Sequence, residues 1–382
     1  MVVRILHAHS TFALGGKEAR AVRLMNAFGD RAAHVVISGM PGQLSARERI
    51  DEGIAVGFPT DAPALAGAPS PLRLYRLHRF MRSFDLVLTY NWGAFDAVMA
   101  RRLFGGPPLI HHEDGFNEDE AERLNPRRNL YRKIGLSAAY RLVVPSEQLE
   151  RVACGAWGQP AARVERIPNG IDAARFQLPI GETFVPGLVR RDDEVVIGTL
   201  AGLRRIKNLP RLVRAFAAMK TRNARLVIVG EGPETEAIMG EARRLQVADR
   251  LLLPGFLPDP AKTIAAFDIF ALSSDSEQFP ISLVEAMAGG LPVAATAVGD
   301  IMTMVSPDNR PLIVAPDDEA ALTAALDTLA ERRDLRRMIG RANREKACAE
   351  FDETRMIARY ARLYGAAIGS PDALAAGVEK LL

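Results

Sequence analysis

The chain has 382 residues, 48% hydrophobic and 25% charged, with a net charge of +3 and two cysteines, Cys154 and Cys348. That length holds about two domains, and the composition excludes a disordered tail, a collagen-like repeat and a disulfide-stapled mini-domain. Two thiols are too few for a disulfide framework or a cysteine-rich zinc site, and they suit a reducing compartment.

The first residues, Met-Val-Val-Arg-Ile-Leu-His, read as a strand and not as a signal peptide. No apolar run approaches the ~18–20 residues that span a bilayer, so a soluble, cytoplasmic protein is expected. From there, short β-branched runs alternate with amphipathic stretches. In the first half the strands expected are Val3–Ala8, His34–Ser38, Ile54–Phe58, Asp85–Thr89, Leu109–His112 and Leu142–Val144. The helices between them are Gly16–Phe28, Leu72–Phe84, Ala94–Phe104, Glu118–Leu136 and Glu147–Ala156.

Between Pro168 and Asp193 the periodicity stops, and Asn-Gly, Pro179, Gly181, Pro186 and Gly187 cluster as a linker. The alternation restarts with strands at Val195–Leu200, Leu226–Val229, Leu251–Leu253, Ile269–Leu272 and Val293–Ala295. Helices are expected at Leu209–Met219, Glu234–Leu245, Ala261–Phe267 and Leu283–Ala288. From Asp318 the chain is helical without a strand. Met356, Ile357, Tyr360, Leu363, Tyr364 and Ile368 recur at helical spacing and mark a packing face. Alternating βα units with apolar strands imply parallel sheets covered on both faces. The fold expected is α/β: two doubly wound, Rossmann-like domains, residues 1–180 and 181–352, with a cleft between them and a helical tail, 353–382. That tail could pack back on the first domain.

The net charge is too small to argue for nucleic acid, but the cations are unevenly placed. Pro71–Phe84 carries Arg73, Arg76, Arg79 and Arg82 with no acid, and Arg123–Arg141 carries six cations with no acid. Arg spaced by three residues lies on one side of a helix, so this half suits an anionic membrane surface or an acidic acceptor as well as plain solvent.

The segment richest in chemistry is Ser274-Asp-Ser-Glu-Gln-Phe-Pro-Ile-Ser-Leu-Val-Glu-Ala-Met-Ala-Gly-Gly-Leu-Pro-Val-Ala-Ala-Thr296. Glu277 sits at the end of a strand and loop, and Glu285 sits inside the short helix that follows. The free N–H groups that open a helix attract phosphate. A carboxylate one or two turns further on is placed to accept from ribose, and the opening carboxylate can grip sugar hydroxyls. Elsewhere, Ala13-Leu-Gly-Gly-Lys-Glu18 links the first strand to a helix, and Pro168-Asn-Gly-Ile-Asp172 makes a tight turn. His111-His112-Glu-Asp-Gly115 follows a strand; as a zinc site it lacks a third ligand at recognisable spacing.

These segments resemble the retaining family-4 glycosyltransferases, whose GT-B architecture sets two Rossmann-like domains face to face. The resemblance implies that Glu285 binds the donor's ribose and that Glu277 contacts its sugar, helped by Gln278, Phe279, Pro280 and Ile281. It implies that Gly15 and Gly16 let backbone approach the donor diphosphate. The family's cation pair falls here in Gly198-Thr-Leu-Ala-Gly-Leu-Arg-Arg-Ile-Lys-Asn208: Lys207 is retained, while Gly202 stands where the Arg would be. Arg204 or Arg205 could supply the missing charge, with Arg205 preferred for its closeness to Lys207. The sequence has no Asp-x-Asp pair to hold a divalent ion on the diphosphate, so cations and helix N-termini must stabilise the leaving charge. The family's His near the donor sugar aligns with Asp114; the role passes to Asp114 or shifts to His112.

The function expected is therefore transfer of a sugar from a UDP- or GDP-type nucleotide-sugar to an acceptor hydroxyl, with retention and without metal or other cofactor. A glycan, polysaccharide precursor or lipid-linked saccharide would be the acceptor. A lipid-linked acceptor would place the protein peripherally on the inner face of the membrane. A sugar-nucleotide epimerase, a phosphorylase or an inactive sugar-nucleotide-binding protein could use the same fold. A dinucleotide-dependent oxidoreductase would need Gly-x-Gly-x-x-Gly in a strand-to-helix turn, which neither half contains.

Overall fold

The computed structural model describes residues 2–40, 42–65, 67, 70–115, 120, 124–177, 185–191 and 193–375. The chain divides into two compact units, Met1–Asn169 with Thr354–Leu382, and Gly170–Glu353. The division falls at the Pro-Asn-Gly turn, earlier than residue 180. From Ile171 onward the backbone already pairs with the second unit: Ile171 N–H donates to Phe351 O at 2.9 Å, and Glu353 N–H donates to Ile171 O at 2.9 Å. A Cβ on Gly170 would stand 2.7 Å from Glu353 Cα, so only glycine admits this approach. The linker positions Pro179 and Gly181 lie outside the described residues.

The first unit runs β1 (Val3–His9), α1 (Gly16–Phe28), β2 (Ala32–Ser38), β3 (Val56–Gly57), α2 (Pro71–Met81), β4 (Leu86–Tyr90), α3 (Phe95–Phe104), β5 (Leu109–His112), α4 (Pro126–Leu136), β6 (Arg141–Val144), α5 (Glu147–Cys154) and β7 (Val164–Arg166). Its seven strands are parallel, in the order β3-β2-β1-β4-β5-β6-β7. Apolar side chains cover both faces. Phe28 of α1 packs with Ile5 and Val36 on one face, and Leu77, Val98 and Leu149 from α2, α3 and α5 pack with Leu6 and Val87 on the other.

Caps set the helix starts. Ser70 accepts from Arg73 N–H, Asn125 from Arg127 and Arg128 N–H, and Ser146 from Leu149 N–H. Asn125 with Pro126 at the first helical position starts α4 well after Glu118; residues 118, 119 and 121–123 of the helix expected there lie outside the described residues. The short edge strand β7, where Val164 alone is buried, has too little apolar pattern to stand out in sequence.

The second unit runs β8 (Val195–Leu200), α6 (Leu209–Ala218), β9 (Ala224–Val229), α7 (Thr235–Arg244), β10 (Leu251–Gly255), α8 (Pro260–Ile264), β11 (Ile269–Leu272), α9 (Ile281–Ala288), β12 (Val293–Thr296), α10 (Ile301–Met304), β13 (Ile313–Val314), α11 (Glu319–Glu331) and α12 (Arg333–Glu350). Its six parallel strands follow the order β10-β9-β8-β11-β12-β13. The two-residue β13 was not legible in sequence; it exists because Ile313 and Val314 align beside Ala295 and Thr296. The last helix, α13 (Glu353–Ala367), returns to the first unit, where Met356, Ile357, Tyr360 and Tyr364 complete the core against α1.

Candidate active site

In each sheet the chain order reverses beside the first strand, between β1 and β4 and between β8 and β11. Doubly wound sheets bind ligands in the crevice outside the carboxyl ends of such strands. In the second unit those ends carry the charged residues singled out in sequence. After β8 the chain enters a 3₁₀ turn, Arg205–Lys207, and reverses at Asn208, whose φ of 42° is left-handed. After β11, Ser273 ties the two loops together: its Oγ donates to Lys207 O at 3.1 Å or Asn208 O at 2.9 Å. Asp275 accepts from Asn208 Nδ2 at 3.1 Å and pairs with Arg211 at 2.7 Å.

This frame brings Lys207 and Glu277 together across 70 positions. Lys207 Nζ donates to Glu277 Oε1 at 2.6 Å, and Ser274 Oγ donates to the same oxygen at 2.7 Å. Glu277 is 8% exposed. Its Oε2 meets no protein donor among the described residues and is left to accept from a ligand. Gly299, at φ 56°, packs so closely that a Cβ would stand 2.3 Å from Glu277 O, which fixes the carboxylate's backbone from behind.

Glu277 leads into α9. Pro280 is its N-cap and supplies no side-chain cap, so the first amides of α9 have no side-chain acceptor there. Glu285 lies half-buried on the second turn. Gln278 keeps a buried Oε1 without a partner, and Phe279 packs edge-on to Phe351 with ring centroids 5.6 Å apart. Ile281 opens the helix, half-buried. Arg204 and Arg205 are both exposed and pair with no acid among the described residues, so both remain available as cations.

The first unit behaves differently. Gly15 caps α1 without a side-chain bond, and Gly15 and Gly16 are exposed. Lys17 pairs with its neighbour Glu18, whose burial raises the carboxyl above its ordinary value. One helical turn on, buried Arg20 forks onto Asp114, with Nη1–Oδ1 at 2.5 Å and Nη2–Oδ2 at 2.8 Å, and Nη1 also donates to Asn169 at 2.8 Å. Burial opposes ionisation of Asp114, but the Arg20 charge and hydrogen bonds outweigh it and hold the carboxyl below the usual aspartate value. Asn91 fixes the same loop by accepting from Asp114 N–H at 2.8 Å.

The structure thus engages both residues considered for the family's His position. Asp114 has each oxygen on Arg20, while His112 is 1% exposed. His112 Nδ1 donates to Thr89 O at 3.2 Å, and its Nε2 accepts from Tyr364 Oη at 2.8 Å. Burial, then the Arg20 charge, pushes its pKa down to about 3. A ring so enclosed serves the core and is closed to a sugar, which corrects the expectation of a shifted catalytic role for His112. Successive strand residues point to opposite faces, so His111 lies against Phe95 and His112 against Tyr364, and the pair cannot share a metal.

The polar core extends to His7, which shares hydrogen bonds with Tyr90 at 3.2 Å and His34 at 3.0 Å. Past the ends of β1 and β4 opens a cavity of about 490 Å³ whose lining includes Ser10, Trp92, Asp96, Arg127, Arg128 and Tyr131. Sequence reasoning missed this cavity, Ser274 and Arg20. Ser274 was findable as the hydroxyl three residues before Glu277, and Arg20 as a charge on the apolar stripe of α1.

Two family models cover most of the chain: "Glycosyl transferases group 1" matches residues 182–346 and "Glycosyltransferase Family 4" matches residues 14–175. The chain belongs to the group 1 glycosyltransferases of GT-B fold. It is similar to the N-acetyl-alpha-D-glucosaminyl L-malate synthase of Bacillus anthracis, with 28% identity covering 45% of this chain and 46% of that protein. Against that relative, and a second Bacillus glycosyltransferase, the chain spans about half the length. It is 29% identical, over 80% of its own length and 83% of the relative's, to a Campylobacter jejuni protein. That relative is an N-acetylgalactosamine-N,N'-diacetylbacillosaminyl-diphospho-undecaprenol 4-alpha-N-acetylgalactosaminyltransferase. Among solved structures, Anabaena HepE in complex with UDP and glucose shares the fold with a TM-score of 0.78 and 19% identity, covering 95% of this chain and 100% of that one.

Proposed function

We propose that this protein transfers a sugar from a nucleotide-sugar to an acceptor hydroxyl, with retention and without a metal ion. The observation that carries the reading is the Glu277 carboxylate: Oε1 is clamped by Lys207 and Ser274, and Oε2 is left for a ligand, beside the uncapped start of α9. In this reading Glu277, with Gln278, Phe279, Pro280 and Ile281, grips the donor sugar, and Glu285 holds the ribose. Lys207, Arg205 or Arg204, and the first amides of α9 offset the charge on the departing diphosphate. The bond from the anomeric carbon to the phosphate oxygen breaks through an oxocarbenium-like state. The acceptor oxygen bonds to that carbon, and its proton leaves with the departing phosphate.

The first unit takes the acceptor. Its cavity, walled by Trp92 and Tyr131 and flanked by Arg127 and Arg128, suits a saccharide that carries an anionic group. The lipid diphosphate in the Campylobacter relative's name agrees with such an acceptor. Gly15 and Gly16 leave backbone open to phosphate, and Asp114 orients the adjoining loop through Arg20.

A thermal-shift panel of UDP, GDP, ADP and their sugar conjugates, with and without EDTA, tests the donor. A ligand at about 100 times its Kd adds ~2.7 kcal/mol of stability. One nucleotide raising the melting curve equally with and without EDTA supports the reading. No shift with any nucleotide overturns it in favour of a site that has lost its donor. Turnover of the sugar-nucleotide without an acceptor would point instead to an epimerase.

A further inference from the structure

Asp96 lines the cavity of the first unit from the opening turn of α3. Its Oδ2 is bound by Arg73 of α2, whose Nη2 also donates to Gly67 O at 2.9 Å. Arg73 thus joins α3 to a loop residue that lines the same cavity. The other oxygen, Oδ1, meets no protein donor among the described residues, although the side chain is only 13% exposed. Burial raises the Asp96 carboxyl above its ordinary value, against the charge and hydrogen bond of Arg73. An acceptor oxygen taken part-way out of water and given no partner costs free energy until a donor reaches it.

The surroundings say which donor fits. Arg73 already offsets the Asp96 charge, so the open oxygen calls for a neutral O–H and not for a second cation, and it repels an anion. Burial, then the Asp96 charge, raises the Tyr131 hydroxyl above its ordinary value, which keeps it protonated on the same wall. Trp92 and Phe95 stack there with ring centroids 5.3 Å apart and supply apolar surface. Carboxylate and phenol beside apolar rings suit a sugar, which carries hydroxyls on its rim and C–H groups on its faces. The cation left for an anionic group is Arg127, exposed and paired with no acid among the described residues, since Arg128 is held by Glu120 at 3.0 Å. The design repeats that of Glu277, where one oxygen is clamped by a cation and the other is open.

We propose that Asp96 determines acceptor specificity by taking a hydrogen bond from a hydroxyl of the acceptor sugar, while Arg127 takes its anionic group. The inference rests on the acceptor reading of this cavity and not on the identity of the donor. The probes are the 6-phosphates of glucose, galactose and mannose, the three free hexoses, and inorganic phosphate. They are titrated onto the full chain and followed by tryptophan fluorescence, because Trp92 lines the cavity and Trp157 is buried. At least one hexose phosphate should bind more tightly than its hexose and than phosphate. Asp96→Asn should weaken that hexose phosphate and its hexose about 10- to 100-fold, the range for a hydrogen bond to a charged group, and leave inorganic phosphate unchanged. Arg127→Gln should weaken the phosphate-bearing probes and leave the hexose unchanged. Arg73→Gln separates a role in holding the loop: if Asp96 serves only to anchor Arg73, the Arg73 and Asp96 variants will weaken every probe alike, and the proposal falls. It falls also if Asp96→Asn binds all probes as the wild type does, or if no hexose phosphate binds the wild type. A nucleotide-induced melting shift that persists in these cases leaves the donor reading standing. Its absence from the wild type, with the Asp96 pattern intact, removes the donor reading alone.

Discussion

At the strand ends of the C-terminal unit, Lys207, Glu277, Arg204 and Arg205 stand on loops within reach of water or a ligand. At the β5 end of the N-terminal unit, Asp114 is gripped by buried Arg20 from α1 and His112 is bonded to buried Tyr364 from α13. All six histidines and both tryptophans of the chain also lie in the N-terminal unit. Both units use the same parallel sheet, so the difference comes from side chains and not from topology. In the proposed function one unit presents its charges to the donor, while the other pairs them with one another inside the fold.

Substitutions on the two sides should therefore fail in different ways. The largest loss of stability is expected from Arg20→Ala, which leaves the Asp114 carboxylate enclosed without its cation. Breaking a buried pair costs about 3–5 kcal/mol. Chemical denaturation followed by tryptophan fluorescence reads the N-terminal unit alone, and a loss under about 1 kcal/mol would show that the fork is ornamental.

Acid should act on the same unit. Burial lowers His34 to about 4 and His112 to about 3, against about 6.5 when unfolded. These rings are neutral when folded, so the unfolded chain binds more protons below pH 6.5. Stability is complete above that pH and is lost as pH falls towards 4, by on the order of 3 kcal/mol for His34. The fluorescence-detected melting temperature should fall over that window. A flat profile would contradict the buried-histidine account.

On the other side, Lys207→Ala and Glu277→Ala should each lower transfer about 100-fold or more, while the melting temperature changes by only a few degrees. Equal losses of activity and stability would erase the distinction between the two units. Glu285→Ala should abolish nucleotide-induced stabilisation; near-normal affinity in that variant would remove the ribose contact. The smallest effect is expected from Tyr364→Phe, which removes the hydroxyl bound to His112 and should cost about 1 kcal/mol with donor affinity unchanged. That contrast is read by comparing denaturation midpoints with nucleotide titrations.

The same contrast explains what could be read in advance. Glu277, Glu285 and the loop between them form one uninterrupted segment, and Lys207 lies in a short one, so a resemblance to the family could be carried by local sequence and single them out as candidates. The alternation of strands and helices was equally local. The Arg20–Asp114 fork joins residues 94 positions apart, and the bond from Tyr364 to His112 spans 252. No local pattern announces such partners, and His112, read at a strand end as one alternative for the family's His role, is enclosed beside a helix from the far end of the chain. The strands β7 and β13 escaped for another reason: two or three residues carry too little pattern, and only their neighbours make them strands.

The return of α13 has a consequence for how the chain is made. During synthesis the residues of the first sheet emerge early, yet Tyr360 and Tyr364, which close its core, leave the ribosome after the whole second unit. The part begun first is thus completed last. A nascent chain can finish its C-terminal unit while the earlier sheet still exposes an unfinished face, so a stop shortly after Glu353 would leave that wound permanently open.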